Sequence, residues 1–209
     1  MVDSLGKSGG LALLWGEEVE VEIINFNQCH INGVMKTSTY EAPWKFTKFY
    51  EHPDLTKRDE AWNLFKFLSK LTPNLWFCIG DFNETMSPSK KWGGKGRPNQ
   101  QMRQFQANLE QCELLDLGYK GPKFTWTNCR EGNEFIKERI DRGTANIGWC
   151  DMYLDVEVVV ETSSTSDHVV LEVWLNGRLK RTAKSRGFQF EAQWALEQGF
   201  NEEITRAWN

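Results

Sequence analysis

The chain is poor in the residues that build disulfide frameworks, zinc sites and membrane spans. Its 209 residues include three His and five Cys. The cysteines are scattered, with no C-x-x-C pair and no Cys/His ligand spacing, which excludes a finger-type zinc site. An odd cysteine count without a signal peptide points to reduced thiols inside the cell. No apolar run approaches ~18 residues, so no membrane-spanning helix is expected. The first ten residues are polar and carry no targeting pattern. Positive charge is not in excess either, the net charge being −4. Proteins that coat nucleic acid are normally basic, so any contact with nucleic acid must be local or helped by a divalent cation. Internal repeats are absent.

Aromatic residues are plentiful, with ten Trp and 13 Phe, enough apolar surface for a sizeable core in one domain. The run Leu75-Trp76-Phe77-Cys78-Ile79 has the form of a buried strand. It ends in Gly80-Asp81-Phe82-Asn83-Glu84, which brings a carboxylate and an amide to a strand tip, with Gly80 allowing a tight turn. If the chain stays extended, Asp81 and Asn83 point to the same side; the competing reading is an Asx turn. Two other polar clusters sit at strand edges: Asp141 within Glu138-Arg139-Ile140-Asp141-Arg142, and Ser166-Asp167-His168 ahead of Val169–Val173. A His beside a carboxylate becomes oriented and more basic. Carboxylates with bound Mg²⁺ can then polarise a phosphate. Tyr50, at the end of Trp44–Tyr50, is a plausible donor to phosphate oxygen.

The remaining pattern alternates short strands with two helices. Strands are expected at Leu11–Trp15, Val19–Ile23, Ile31–Met35 (weaker), Trp44–Tyr50, Lys123–Thr127, Glu138–Arg142, Val156–Val160 and Val169–Leu175. The stripe Ala61, Trp62, Leu64, Phe65 and Leu68 predicts a helix from Arg58 to before Pro73. Met102, Phe105 and Leu109 predict a second over Gln100–Cys112. Ser87–Pro98, with Lys90, Lys91, Lys95 and Arg97, reads as a mobile basic loop. This order suggests an α/β (α+β) sandwich over 1–176, then a basic linker and an acidic helix-like segment over 177–209.

These stretches together resemble the endonuclease/exonuclease/phosphatase (DNase I-like) superfamily. They resemble most closely the endonuclease region of plant LINE-type non-LTR retrotransposon polyproteins, over about residues 7–209. The markers are Gly9-Gly10-Leu11-Ala12-Leu13-Leu14-Trp15, Phe49-Tyr50-Glu51-His52-Pro53, Gly80-Asp81-Phe82-Asn83-Glu84, Phe124-Thr125-Trp126, Glu138-Arg139-Ile140-Asp141-Arg142 and Ser166-Asp167-His168. Their order and spacing together are specific. The segment Phe188–Trp194 is similar to the link to a reverse transcriptase, which is not in this sequence.

The resemblance implies a four-layer α/β/β/α sandwich, truncated at its amino terminus, and Mg²⁺-dependent hydrolysis of DNA phosphodiesters in the nucleus. Asp81 would orient or activate water and Asn83 would hold the scissile phosphate. His168 would stabilise the pentacovalent phosphorus, Asp141 would hydrogen-bond that imidazole, Tyr50 would contact phosphate, and Asp167 would sit at the metal. Family members open with strands bearing an Asn and a metal-ligating Glu, which have no counterpart here. Weak Mg²⁺ binding and little or no activity are therefore expected. Glu51, where relatives carry Gly, is expected to add negative charge near the phosphate. Two other functions fit the same fold at this stage: hydrolysis of a small phosphoester, and a non-catalytic nucleic-acid-binding module.

Overall fold

The computed structural model describes residues 1–5, 8–17, 19–37, 42–51, 58–71, 75–163 and 166–177. Met1–Gly177 forms one unit; the linker and helix expected over 177–209 lie, past Gly177, outside the described residues.

In chain order the elements are β1 (Val2–Leu5), β2 (Ser8–Leu11), β3 (Val19–Asn27), β4 (His30–Thr37), β5 (Trp44–Tyr50), α1 (Arg58–Ser69), β6 (Trp76–Asp81), β7 (Lys91–Trp92), α2 (Asn99–Gln111), β8 (Leu115–Asp116), β9 (Trp126–Thr127), β10 (Lys137–Glu138), β11 (Asp141–Ala145), α3 (Ile147–Met152), β12 (Glu157–Glu161) and β13 (Val170–Trp174). A six-stranded sheet in the order β3-β4-β5-β6-β11-β8 is the frame. Its neighbours pair antiparallel except β5 and β6, which run parallel. A parallel pair needs a crossover, and α1 lies in that connection. Smaller sheets are β1-β2, β7-β10-β9 and β12-β13.

Both faces of the frame are covered, and β5 and β6 divide their side chains between them. Phe49, Trp76 and Cys78 join Trp62, Phe65 and Leu68 of α1 and Phe105 and Leu109 of α2 in one core. Trp44, Phe46 and Phe77 face the other way, towards Trp149, Tyr153 and Val173. Here Phe77 stacks on Trp149 with centroids 4.8 Å apart. The result is a layered α/β sandwich, as the strand and helix order implied. Lys45 points into the helical side, where its Nζ donates to Leu68 O (2.5 Å) and Leu71 O (2.8 Å). It thereby adds a donor to Leu68 O, which also accepts from Leu71 N at 3.1 Å, and caps the Leu71 carbonyl just past the end of α1. Burial lowers its pKa to about 8.

Several sequence expectations change in the fold. Leu11–Trp15 is not a buried strand: β2 pairs only with β1, whose partner residues end at Val2↔Leu11. Beyond that point Leu14 is 91% and Trp15 49% exposed. The Val19 strand runs on to Asn27 with a register shift between Ile23 and Asn25, and as the sheet's outer edge it leaves Phe26 exposed. Glu138–Arg142 is two strands rather than one, because the chain leaves the β7-β10-β9 sheet at Glu138 and enters the six-stranded sheet at Asp141. Lys123–Thr127 shortens to β9. The Ser87–Pro98 stretch is not a free basic loop: Lys91 and Arg97 both pair with Glu138.

Candidate active site

Pairing register assembles the site. In the antiparallel pair β6/β11, Asp81 lies directly opposite Asp141. In the parallel pair β5/β6, Tyr50 lies beside Asp81. Phe49 and Cys78 face the helices, so alternation turns Lys48, Tyr50, Asp81 and Asp141 to the other face. Three strand ends thus bring Tyr50, Asp81 and Asp141 abreast. His168 closes the group from just before β13: its Nδ1 donates to Asp141 Oδ2 at 2.9 Å. Ligand atoms of Asp81, Asp141 and His168 all lie within 4.8 Å of one another.

Local contacts hold each member. Gly80 lies within β6 and not at a turn; a Cβ there would stand 1.7 Å from Phe49 O. Only glycine lets β5 and β6 approach this closely. Asp141 N and Ile140 N both donate to Thr125 Oγ1 at 3.0 Å. An isolated antiparallel bridge joins His168 to Trp126. Asp167 is exposed, and its Oδ2 accepts from Trp126 Nε1 at 3.0 Å.

The segment after Asp81 is not extended. Asn83 has φ of +47°, and its N–H donates to Asp81 Oδ1 at 2.8 Å, an Asx turn. Its side-chain Nδ2 donates to Asp81 Oδ2 (3.0 Å) and Glu51 O (2.7 Å). The Asx turn and the site geometry are therefore one feature, and the Asn83 amide aims the Asp81 carboxylate.

The electrostatics follow from burial of like charges. Burial raises the Asp81 pKa to about 7, with the Asp141 carboxylate pushing the same way; the Asn83 N–H, His168 and Lys48 oppose it. Burial on its own lowers the His168 pKa, but the bond to Asp141 and the charges of Asp141, Asp81 and Asp167 outweigh it, so the net shift is upward. Near neutral pH the site holds an imidazole inclined to protonate and a carboxyl group poised between its two states, a pairing suited to acid–base work. Glu51 does not add the expected negative charge: it is fully buried, and burial, then Glu84 and Asp81, raise its pKa to about 8 against the pull of Arg58.

Sequence reasoning passed over Lys48 and Thr125. Lys48 was legible, since two residues before Tyr50 on a strand is the same face. Thr125 stands inside the Phe-Thr-Trp marker, but its bonds to Ile140 and Asp141 depend on tertiary approach.

No family model matches the chain, and no curated protein matches it. Solved structures do. The endonuclease domain of TRAS1, a telomere-specific non-LTR retrotransposon, is similar at 19% identity and TM-score 0.61, over 80% of this chain and 73% of that one. A truncated TDP2 from Caenorhabditis elegans has 15% identity and TM-score 0.43, over 75% and 67% of the two chains. An endonuclease/exonuclease/phosphatase family protein from Leptotrichia buccalis has 18% identity and TM-score 0.41, over 69% and 52%. The fold is DNase I-like.

Proposed function

We propose that this chain is a weakly active phosphodiesterase of the plant LINE-type retrotransposon endonuclease kind, hydrolysing DNA backbone phosphodiesters with weakly held Mg²⁺. One observation carries the reading: Tyr50, Asp81 and Asp141 stand abreast in register, with His168 bonded to Asp141. The similarity of fold to the TRAS1 endonuclease domain supports it.

The donor set fits the ion. Asp81 and Asp141 face one another, and the raised pKa of Asp81 marks negative charge that a hard, oxygen-seeking cation relieves. Asp81 and Asp141 would hold it, and Asp167, next to His168, brings a further carboxylate to that edge. When bound there, Mg²⁺ would offset phosphate charge and act as a Lewis acid. The protein's own groups do the rest. Asp81, aimed by Asn83, orients the attacking water and accepts its proton. His168, whose pKa Asp141 raises, donates to the phosphate oxygen on which charge grows. Tyr50 and Lys48 supply a hydroxyl and a positive charge on the same face.

Relaxation of supercoiled plasmid in Mg²⁺ tests this. The wild-type chain nicks, and Asp141→Asn and His168→Ala each lose about 10²- to 10⁴-fold while melting within a few degrees of wild type. A wild-type chain that does not nick in Mg²⁺ refutes the assignment. Hydrolysis of a phosphoester dye without nicking would move the substrate to a small phosphoester.

A further inference from the structure

Resting on the proposed hydrolysis, we propose that Arg58 and Arg97 are positioning residues: together they fix the Asn83 peptide, and through it the amide that aims Asp81. Arg58 is the first residue of α1, and Arg97 lies just ahead of α2. Their side chains converge on one backbone atom, Asn83 O, with Arg58 Nη2 at 2.7 Å and Arg97 Nη1 at 2.9 Å. Both also reach Glu84 Oε2, at 2.6 and 3.4 Å. A third guanidinium, that of Arg142 in β11, donates to the next carbonyl, Glu84 O, at 2.8 Å. Arg97 further pairs with Glu138 of β10. Two consecutive carbonyls are therefore held by three cations.

A backbone carbonyl has two lone pairs, and at Asn83 O the two guanidiniums fill both. These bonds fall on a residue whose backbone needs support. Asn83 is in the left-handed region, a conformation that persists when its surroundings over-determine it. With the peptide fixed on the arginine side, the Asn83 side chain has one way to go, towards Asp81 Oδ2 and Glu51 O. Arg58 also lies 4.0 Å from the Glu51 carboxylate, whereas the side-chain bonds of Arg97 go to Asn83 O, Glu84 and Glu138, so it is the Arg97 variants that isolate the action passing through Asn83.

The test uses the full chain and two readouts. In ¹⁵N–¹H spectra the two Asn83 side-chain amide protons of the wild type are well separated and exchange slowly. In Arg97→Met and Arg58→Met they move towards the values of a solvent-exposed amide. In the plasmid assay kcat falls about 10- to 100-fold, with KM changed less than about twofold. Arg97→Lys, which keeps the charge and one donor, retains the separated amide pair, and it carries the comparison if Arg97→Met does not fold. Unchanged Asn83 amide signals in both Met variants, whatever their melting temperatures, overturn the proposal. If the wild type does not nick but the amide pair responds as stated, the positioning role stands and the hydrolase reading falls.

Discussion

Glu84 and Glu138 are buried at least as deeply as Asp81, at 1% and 4% exposed against 9%, but they keep different company. Arg58 and Arg97 pair with Glu84, and Lys91 and Arg97 pair with Glu138. Around Asp81 and Asp141, the described residues offer the His168 imidazole, bonded to Asp141, with Lys48, Arg139 and Arg142 acting at longer range. The first cluster is neutralised by side chains from three segments of the chain, and it ties those segments together. The second is left short of positive charge at the open end of the strands. A buried acid that brings its own counter-ions serves the fold; one that lacks them is equipped to receive a cation or a proton from outside.

Three measurements break or sharpen that contrast. The largest effect is expected from Glu84→Ala, which strands two guanidiniums: unfolding in urea loses about 3 kcal/mol, and a loss below about 1 kcal/mol would show the arginine cluster to be ornamental. Next comes the cation. Mg²⁺ at 100 times its Kd stabilises the folded chain by about 2.7 kcal/mol, seen as a rise in melting temperature over an EDTA control. Asp81→Asn abolishes that rise, whereas Glu138→Gln, though less stable, keeps it; equal responses in both would erase the distinction.

The last measurement concerns Glu51. Its pKa is raised on folding from 4.5 to about 8. The folded chain thus holds a proton that the unfolded chain has released, and the contribution is full below about pH 4.5 and lost as pH rises through 8. Glu51→Gln cannot ionise, so its melting temperature overtakes that of the wild type at pH 9. At pH 4 the two should melt alike. A wild-type advantage at pH 9 would mean that the ionised carboxylate is welcome beside Arg58.

The parts of this molecule that were legible in sequence are those written in local periodicity. The helix beginning at Arg58 and the apolar run into Asp81 declare themselves by spacing, and so does the Val-rich pair β12 and β13. The residues that the fold gathers, Tyr50, Asp81, Asp141 and His168, drew notice for a related reason, since polar groups placed where an apolar run stops are conspicuous. Register was not legible. Nothing local says that Asp141 faces Asp81, or that Glu138 and Asp141, three residues apart, belong to different sheets. The short α3 was missed, although Asn146 signals it by accepting from Trp149 N at 3.2 Å. The loop over 87–98 is tied down where a mobile one was expected, because a charge in sequence does not reveal a buried acid waiting for it.

Gly80 carries an implication for how far this sequence can drift. A methyl group there would meet the Phe49 carbonyl, a backbone atom that cannot swing aside as a flexible side chain would. Accommodating it means prising the two parallel strands apart, and with them the hydroxyl of Tyr50 from the acid of Asp81. The reach of the proposed chemistry is thus gauged by a side chain of one hydrogen, and even alanine at that position should dismantle the alignment while leaving the helical core largely intact.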